Sequence, residues 1–408
     1  MAHDVTEKVA SQYEQWVYPL PEDDLSPQGD TRTVNGSDPG VFHYAYWPQS
    51  GEPPQSPRIL VAGCGSVAAA RYAYNHPEAQ ITGIDLSSSS LAHEAYLKDK
   101  HRLDNLSLHQ CPIQDIGSLG QSFDLIDVTG VLHHIAEPHI ALRALRDSLD
   151  INGVISIMLY GFYGRTGVYM FQEMFKRLGF QQDQRSVDLV KQMLAAVDPG
   201  HIVKRYARDA SDLSYDSGIV DTFLHQHDKG YTVADCLELV AQAGLVFQGW
   251  KENFFYYPEG QITRHPDIKA AIQGQDDANI WPIMELFLGQ ASQHRFQACR
   301  ADRDPSTYRL DFNSEAFWDY IPVRRIDQAS PVEGTGQLAI QRAPFPRFVL
   351  GKTFADLFNQ IDGQKSIRDC LAAAGLPHPP AQQKALAHEF FRSFWRVGYL
   401  WLRLPSKG

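Results

Sequence analysis

From Arg58 onward, short apolar runs alternate with helical stretches, and this alternation constrains the fold more than any other feature of the chain. The apolar runs have the length of strands and lie at 58–62, 80–84, 106–109, 123–128 and 153–160. Between them lie helical patterns at 67–74 and 138–148, and one that ends near His101. Strands that are joined through helices imply right-handed crossovers and a mainly parallel sheet. The sequence therefore predicts an α/β fold with helices on both faces of the sheet.

The alternation pauses after Gly161 and returns at a helical pattern over 232–243, which is followed by a strand pattern at 245–250. The pause contains helical patterns at 168–178 and 186–197 and predicts a helical insertion at about 161–230. A further helix at 280–290 and a last strand at 294–301 complete a predicted sheet of seven strands. The core of the protein is thus expected to span 58–302.

The two ends of the chain have a different character. Residues 5–18 can form a short amphipathic helix that Pro19 ends, and residues 22–57 look irregular apart from a strand-like piece at 41–47. After the core, residues 303–345 look irregular, and residues 346–408 contain two helical patterns and an aromatic run, where core packing is expected. We therefore predict three parts, 1–57, 58–302 and 303–408.

Composition excludes several functional classes. The net charge is −11, which disfavours a general nucleic-acid binder. The five cysteines are scattered and never form a C-x-x-C pair, which predicts reduced thiols without a disulfide or zinc site. No apolar run approaches the ~18 residues of a membrane helix, and the first residues show no secretory signal. We expect a cytoplasmic protein without membrane contact; its oligomeric state stays open.

A glycine turn follows the first strand, at Ala62-Gly63-Cys64-Gly65-Ser66. Glycines allow positive φ and a close approach of the backbone to a ligand, and the next helix directs its free N–H groups toward that ligand. The third glycine of a dinucleotide fingerprint would be residue 68, which is Ala, so an NAD-binding interpretation stays open. A plain tight turn is the other alternative.

Asp85 ends the second strand, where a carboxylate can accept hydrogen bonds from both ribose hydroxyls. NAD enzymes share this feature, and a helix N-cap is an alternative because serines follow. After the third strand, Asp115 is placed to accept from an adenine amino group.

Taken together, the segments Val61–Gly65, Gly83–Asp85, the acidic loop at Asp115 and Val131–Ile135 resemble class I S-adenosylmethionine-dependent methyltransferases. The resemblance is firm over about 58–160 and looser to about 302. It implies S-adenosylmethionine as cofactor, with contacts from Ala62, Gly63, Cys64, Gly65, Asp85, Leu86, Asp115, Ile116, Thr129 and Val131. Many members carry an acidic residue where this chain has Val61, so a contact to the methionine amino group is lost or comes from elsewhere.

The resemblance implies methyl transfer to a nitrogen or oxygen nucleophile of a small molecule or a protein side chain. His133, His134 and Tyr160 are the candidate catalytic residues, although a structural role for these histidines is the main alternative. The candidate acceptor pocket consists of Tyr13, Tyr18, Tyr163, Arg165, Tyr169 and His225. Packing is an equal alternative for the tyrosines and Arg165, whereas His225 is expected in a polar loop over the pocket. His225 and His227 could share one face of a strand, but without a second ligand cluster no metal site is predicted.

A second resemblance lies in the segments 13–19, 221–225 and 231–233. They are similar to bacterial methyltransferases that include protein-lysine methyltransferases and have an N-terminal lid and an appended C-terminal domain. This implies a lid within 1–57 and a small α+β accessory domain at 303–408, often of winged-helix type, with lysine among the possible acceptors. The rival hypotheses are a non-catalytic S-adenosylmethionine-binding module and an NAD-dependent dehydrogenase.

Overall fold

The computed structural model describes residues 2–25, 36–262 and 265–405. Seven strands form its main sheet: β1 (Arg58–Ala62), β2 (Gln80–Asp85), β3 (Leu106–Gln110), β4 (Phe123–Thr129), β5 (Leu149–Tyr160), β6 (Leu245–Trp250) and β7 (Gln293–Arg300). They follow the order β3-β2-β1-β4-β5-β7-β6. The neighbouring strands from β3 to β5 pair in parallel, and β7 runs antiparallel to β5. The predicted seven-stranded, mainly parallel α/β fold is confirmed.

The central strands are apolar because helices cover both faces of a parallel sheet. Leu60, Ile126 and Ile155 are completely buried on β1, β4 and β5. The register pairs Val61 with Asp127 on one side and with Gly83 on the other. The carboxyl ends of β1, β2 and β4 therefore meet at one edge of the sheet, and the segments that follow these strands lie there.

Twelve helices accompany the sheet and the segments around it in the described ranges before residue 303. They are α1 (Ala2–Gln15), α2 (Pro39–Tyr46), α3 (Ala68–Asn75), α4 (Ser88–His101), α5 (Pro138–Asp147), α6 (Thr166–Arg177), α7 (Gln184–Ala196), α8 (Ile202–Asp209), α9 (Asp216–Phe223), α10 (Val233–Gln242), α11 (Pro266–Gln273) and α12 (Asp277–Leu288). Helices α6 to α9 form the insertion after β5. They share a small apolar core that includes Val168, Phe175, Val190 and Phe223.

One strand prediction is wrong. Residues 41–47 were expected to be strand-like because they are rich in aromatic side chains, but the structure places them mainly in α2. The buried residues of α2 are Pro39, Phe42 and Tyr46. Their spacing of three and four positions puts them on one helical face, so burial here follows the helical period.

The chain forms two compact units: Met1–Asp38, Pro54–Gly249 and Glu285–Arg303 make the first, and Pro39–Pro53, Trp250–Met284 and Asp304–Gly408 make the second. They differ from the predicted parts at 39–53 and 250–284, which pack with the C-terminal residues. The N–H of Leu404, for example, donates to the Pro48 carbonyl at 2.8 Å. A contact between segments so distant in sequence leaves no local pattern. The predicted domain boundaries stay a prediction.

The second unit contains α13 (Lys352–Asn359), α14 (Ile367–Ala374) and α15 (Pro380–Arg396), together with β8 (Ile321–Arg324), β9 (Gln328–Val332), β10 (Gln337–Gln341), β11 (Phe348–Leu350) and β12 (Leu400–Arg403). The strands form one sheet in the order β11-β10-β9 and a pair of β12 with β8. The expectation that 303–345 is irregular is therefore wrong, since β8, β9 and β10 lie there, and 346–408 contains three helices rather than two. The likeness to a winged helix stays a prediction.

The aromatic run near the C-terminus divides between α15 and β12. Phe390 and Phe391 are fully buried in the core of the second unit, in line with the core packing expected for them. All five cysteines are buried, and none of them forms a disulfide. Within the described residues, no helix is both long and apolar enough to span a membrane. The cytoplasmic location stays a prediction.

Candidate active site

The glycine turn after β1 has a backbone that only glycine adopts easily. Gly63 and Gly65 have φ angles of +72° and +56°. A Cβ atom on Gly63 would lie 2.4 Å from the Val131 side chain, and one on Gly65 would lie 3.0 Å from Pro19. Both glycines thus combine a left-handed conformation with a close approach, which no other residue type supplies.

Asp85, the last residue of β2, connects this strand to the glycine turn by hydrogen bonds. Its two carboxylate oxygens accept hydrogen bonds from the N–H groups of Gly65 (2.8 Å) and Ser87 (2.9 Å). Burial raises the pKa of this carboxyl. The N-cap of α4 is Ser87, whose hydroxyl accepts from the N–H of Ser90, so Asp85 is not the cap. Each carboxylate oxygen has a second lone pair, which leaves Asp85 able to accept hydrogen bonds from a ligand.

A second carboxylate, Glu94 on α4, holds the first turn of α3. Its oxygens accept from the N–H groups of Ala69 (2.9 Å) and Ala70 (2.7 Å), and its side chain is fully buried. Burial raises the pKa of Glu94 to about 8. Helix N-termini favour a carboxylate because their first N–H groups lack partners within the helix. Sequence reasoning missed Glu94, although an acidic residue within the buried face of a helix is an available signal.

The segments expected to hold an adenine lie at the same edge of the sheet. Leu86 directly follows β2, and its carbonyl accepts from the Gln110 side chain at 2.8 Å. Ile116 is buried and Asp115 exposed on the 3-10 helix Ile113–Leu119, which follows β3. Since β2 and β3 are parallel neighbours, these residues share the carboxyl edge with the glycine turn.

Thr129 and Val131 leave β4 next to the turn. The Thr129 hydroxyl donates to Asp127 at 2.6 Å, and the Tyr72 hydroxyl donates to the other oxygen of this carboxylate at 2.9 Å. Val131 is the residue whose side chain lies directly against Gly63. The residues predicted around the cofactor are therefore gathered at one place.

A second polar cluster surrounds Asp221, which is 1% exposed on α9. The hydroxyls of Tyr13 and Tyr160 donate to its two oxygens at 2.9 and 3.4 Å. Burial raises the pKa of Asp221, and it raises the pKa of both phenols strongly, so the tyrosines stay neutral donors. None of the ion pairs among the described residues involves Asp221. It is a buried acid whose partners are two tyrosines.

His225 extends this cluster through a defined tautomer. The N–H of His227 donates to His225 Nδ1 at 3.0 Å, so Nε2 carries the proton of the neutral ring. His225 Nε2 lies 3.2 Å from the Tyr13 hydroxyl and therefore donates to it. Burial lowers the pKa of His225, which keeps the ring neutral. The hydrogen bonds run from His225 through Tyr13 to Asp221.

The two adjacent histidines have opposite tautomers. His133 Nδ1 accepts from the N–H of Tyr160 at 3.3 Å, so its Nε2 carries the proton, and this buried atom has no hydrogen-bond partner among the described residues. His134 Nδ1 lies 2.9 Å from the His227 carbonyl, which can only accept, so Nδ1 carries the proton there. The lone pair of His134 is consequently on Nε2. Of the two rings, only that of His134 has a nitrogen lone pair to which no described backbone N–H donates.

Arg165 and Asp228 form an ion pair next to His134. Arg165 donates to Asp228 Oδ2 at 3.1 Å, and Gln172 donates to the same oxygen at 2.9 Å. The guanidinium also lies 3.6 Å from the centre of the Tyr160 ring and donates to the Tyr206 hydroxyl at 2.7 Å. Both charged side chains are at most 2% exposed.

The other residues predicted for the acceptor pocket lie further out. Tyr18 donates to Asp212 at 3.1 Å, and Tyr169 lies beside Arg165, with 5.8 Å between the guanidinium and the ring centre. Tyr163 packs edge-on against Phe162, with 5.3 Å between the ring centres. Of the predicted set, the structure brings Tyr13, Arg165 and His225 together with Tyr160. The assignment of the pocket stays a prediction.

Sequence reasoning passed over Asp221 and Asp228 as chemistry-bearing residues. Asp221 stands in the run Ile219-Val220-Asp221-Thr222-Phe223-Leu224, and a carboxylate within an apolar helical run is the signal that could have found it. Asp228 lies in a polar loop and offers no such signal.

Two groups of side chains have the spacing of metal ligands: His133, His134 and Asp228, and His134, Asp221 and His225, with ligand atoms within 4.8 Å of one another. A neutral ring binds a metal through a nitrogen lone pair. The hydrogen bonds described above use the Nδ1 lone pairs of His133 and His225 and the Nδ1 proton of His134. The groups therefore fit a hydrogen-bonded cluster better than a metal site, and the absence of a metal stays a prediction.

Comparison with known proteins gives the class. Residues 60–155 match the family model described as a methyltransferase domain. PKMT2 from Rickettsia typhi has the same fold with a TM-score of 0.64 at 16% identity, over 92% of this chain and 78% of that chain. Its complex with AdoHcy has a TM-score of 0.61, also at 16% identity, over 91% and 76%. An uncharacterized protein of Synechococcus sp. is 28% identical over 310 residues, or 72% of each chain.

The domain match, the strand order and the glycine turn together show that the chain carries a class I methyltransferase domain. It is an S-adenosylmethionine-dependent methyltransferase, as the sequence resemblance implied. The interpretation as an NAD-dependent dehydrogenase is thereby set aside.

Proposed function

We propose that this enzyme transfers the methyl group of S-adenosylmethionine to a nitrogen or oxygen nucleophile that binds beside Asp221. The observation that carries the proposal is the buried Asp221 cluster, which forms next to the glycine turn. Val131 packs against Gly63, and His134 follows it by three residues. On the N-terminal side, Pro19 approaches Gly65 while Tyr13 bonds to Asp221.

The cofactor would lie along the carboxyl edge of the sheet. Gly63 and Gly65, with Ala62 and Cys64, would face its methionine part, and Asp85 would accept from the ribose hydroxyls. Leu86, Asp115 and Ile116 would enclose the adenine, and Thr129 and Val131 would lie below the sulfonium. The close approach at the turn and the free lone pairs of Asp85 support this arrangement.

Methyl transfer mainly requires the protein to align the methyl donor with the acceptor. The sulfonium is already activated, so the reaction is an in-line displacement in which donor and acceptor must be held at near-attack distance. Asp221 can accept a hydrogen bond from the N–H or O–H of the nucleophile, and the neutral Tyr13 and Tyr160 fix the direction of its oxygens. A cationic amine would also supply the counter-charge that the buried Asp221 lacks among the described residues.

A protein side chain, lysine included, is a candidate acceptor. Helix α1 with Tyr13 would serve as the lid of the second resemblance, and the helices and small sheets that follow residue 303 would serve as its appended domain. PKMT2 shares the fold over most of this chain. A small-molecule acceptor remains the other candidate.

The test combines binding and turnover. Titration calorimetry with S-adenosylhomocysteine is expected to show a single site, and radiolabelled S-adenosylmethionine with a clarified bacterial lysate is expected to label one fraction. Label in the protein fraction indicates a side-chain acceptor, and label in the small-molecule fraction indicates a metabolite. Tight binding without label in any fraction would refute methyl transfer and favour a non-catalytic module.

A matched pair of variants tests the acceptor site. Asp221→Asn is expected to lower turnover by roughly 10²-fold, the cost of a misplaced acceptor, while the affinity for S-adenosylhomocysteine stays unchanged. Asp209→Asn, at an exposed position of α8, is expected to change neither. Equal turnover of the two variants would remove Asp221 from the acceptor site.

A further inference from the structure

The tautomer of His134 is set by the backbone. Its Nδ1–H donates to the His227 carbonyl at 2.9 Å, and no described residue donates a hydrogen bond to its Nε2. The ring stacks on His225 with 3.7 Å between ring centres. A ring nitrogen of His134 also lies within 4.8 Å of Asp221 and His225 ligand atoms. The Nε2 lone pair of His134 is thus left to accept a proton, on a ring that belongs to the cluster proposed to receive the acceptor.

A proton taken up by His134 would create a buried cation, since its side chain is 4% exposed. Such a charge needs a partner of opposite sign. Asp228 Oδ1 lies 3.8 Å from His134 Nδ1 and has no hydrogen-bond partner among the described residues. The other oxygen of Asp228 is held by Arg165 and Gln172. These two bonds orient the carboxylate so that its free oxygen faces the imidazole.

His133 lacks this capacity although it precedes His134 directly. Its Nδ1 lone pair is used by the Tyr160 N–H, and its ring stacks on the Tyr160 ring at 3.9 Å between centres. The remaining nitrogen is a donor. A ring in this state can donate a hydrogen bond but cannot take up a proton without losing its bond to the backbone.

We infer that His134 is the general base of methyl transfer and that Asp228 is the positioning residue that stabilises its protonated form. This inference rests on the proposed function. The proton of the acceptor N–H or O–H moves to His134 Nε2 while the acceptor lone pair bonds to the methyl carbon. The carbon–sulfur bond breaks, its electron pair stays on sulfur, and S-adenosylhomocysteine is formed. His134 then returns the proton to solvent.

The first test needs no acceptor. Nitrogen NMR of isotope-labelled histidine side chains, recorded on the enzyme saturated with S-adenosylhomocysteine, reports the tautomer of each ring. The His134 signals are assigned from their loss in His134→Gln. We expect the Nδ1–H tautomer for His134 and the Nε2–H tautomer for His133. An Nε2–H tautomer at His134 would overturn the inference whether or not the enzyme methylates a given acceptor.

The second test measures turnover with radiolabelled S-adenosylmethionine and the lysate fraction that the wild-type enzyme labels. His134→Gln is expected to lower kcat by roughly 10²- to 10⁴-fold, with the KM for S-adenosylmethionine unchanged. His134→Gly is expected to regain turnover when imidazole is added, which a purely structural role would not produce. His139→Gln, at the half-buried second residue of α5, serves as the matched control and is expected to keep wild-type turnover.

Asp228→Asn is the test of the positioning residue. The amide keeps an oxygen for Arg165 and Gln172 but removes the charge, so kcat is expected to fall by on the order of 10²-fold. The tautomer of His134 and the affinity for S-adenosylhomocysteine are expected to persist. Wild-type kcat in Asp228→Asn would overturn the role of Asp228, and wild-type kcat in His134→Gln would overturn the role of the base. In both cases label transfer by the wild-type enzyme would leave the proposed function standing.

Discussion

Gly63→Ala is the substitution whose effect follows most directly from the structure. The new Cβ would lie 2.4 Å from Val131 Cγ2, on a backbone with φ of +72°. The left-handed conformation costs an alanine about 1–2 kcal/mol. Overpacking against Val131 adds about 1–3 kcal/mol. The sum is a loss of about 2–5 kcal/mol in the free energy of unfolding.

Gly120→Ala is a matched control. Gly120 has φ of +60°, and a Cβ there would meet nothing within 4 Å. Only the backbone cost of about 1–2 kcal/mol applies. The difference between the two variants therefore isolates the contact with Val131.

The assay is thermal unfolding with and without S-adenosylhomocysteine, followed on the transition that this ligand shifts. At a concentration of about 100 times Kd the ligand adds about 2.7 kcal/mol of stability. Gly120→Ala is expected to show this full gain, and Gly63→Ala to show little of it because its methyl group occupies the approach to the cofactor. Equal destabilisation of the two variants would refute the contact, and an unchanged ligand effect in Gly63→Ala would remove Gly63 from the cofactor site.

Two further predictions concern buried carboxylates. Burial raises the pKa of Glu94 to about 8, so the folded state binds the proton of this carboxyl group more tightly than the unfolded chain does. The contribution of this bound proton to the free energy of unfolding is therefore lost as pH rises from about 4.3 to 8. Relative to Glu94→Gln, the melting temperature of the wild-type enzyme should fall between about pH 5 and pH 8; a constant difference would contradict this. In the second unit Glu252 binds Arg325 at 2.7 Å and Arg342 at 2.6 Å. Glu252→Gln should cost about 2–4 kcal/mol in a urea titration, whereas the exposed Glu333→Gln should cost less than about 0.5 kcal/mol. Equal costs would show that the ion pairs contribute nothing.

Some elements are predictable because their signals are local. The bounds of β1 and β6 agree with the expected 58–62 and 245–250, since each is an apolar run with a glycine at one end, Gly63 after β1 and Gly244 before β6. The strand-like expectation for 41–47 failed because aromatic side chains suit a helix and a strand alike, and only burial decides between them. Strands β8 to β10 were missed because each is only four or five residues long and none shows a clear alternation of buried and exposed residues.

The sequence by itself determined the residues that we propose for the methyl-donor side. Gly63, Gly65 and Asp85 follow neighbouring strands of a parallel sheet, and the topology of such a sheet brings the ends of those strands to one edge. The proposed acceptor side was decided by the tertiary structure. Tyr13 and Asp221 are 208 residues apart and meet in a single hydrogen bond.

The distinction between His133 and His134 has the same origin. The two rings are adjacent and chemically identical in the sequence, and a backbone N–H of Tyr160 and a backbone carbonyl of His227 give them opposite tautomers. Because the proton of a neutral imidazole goes to the nitrogen that faces an acceptor, the chemistry of each ring depends on what folding places beside it.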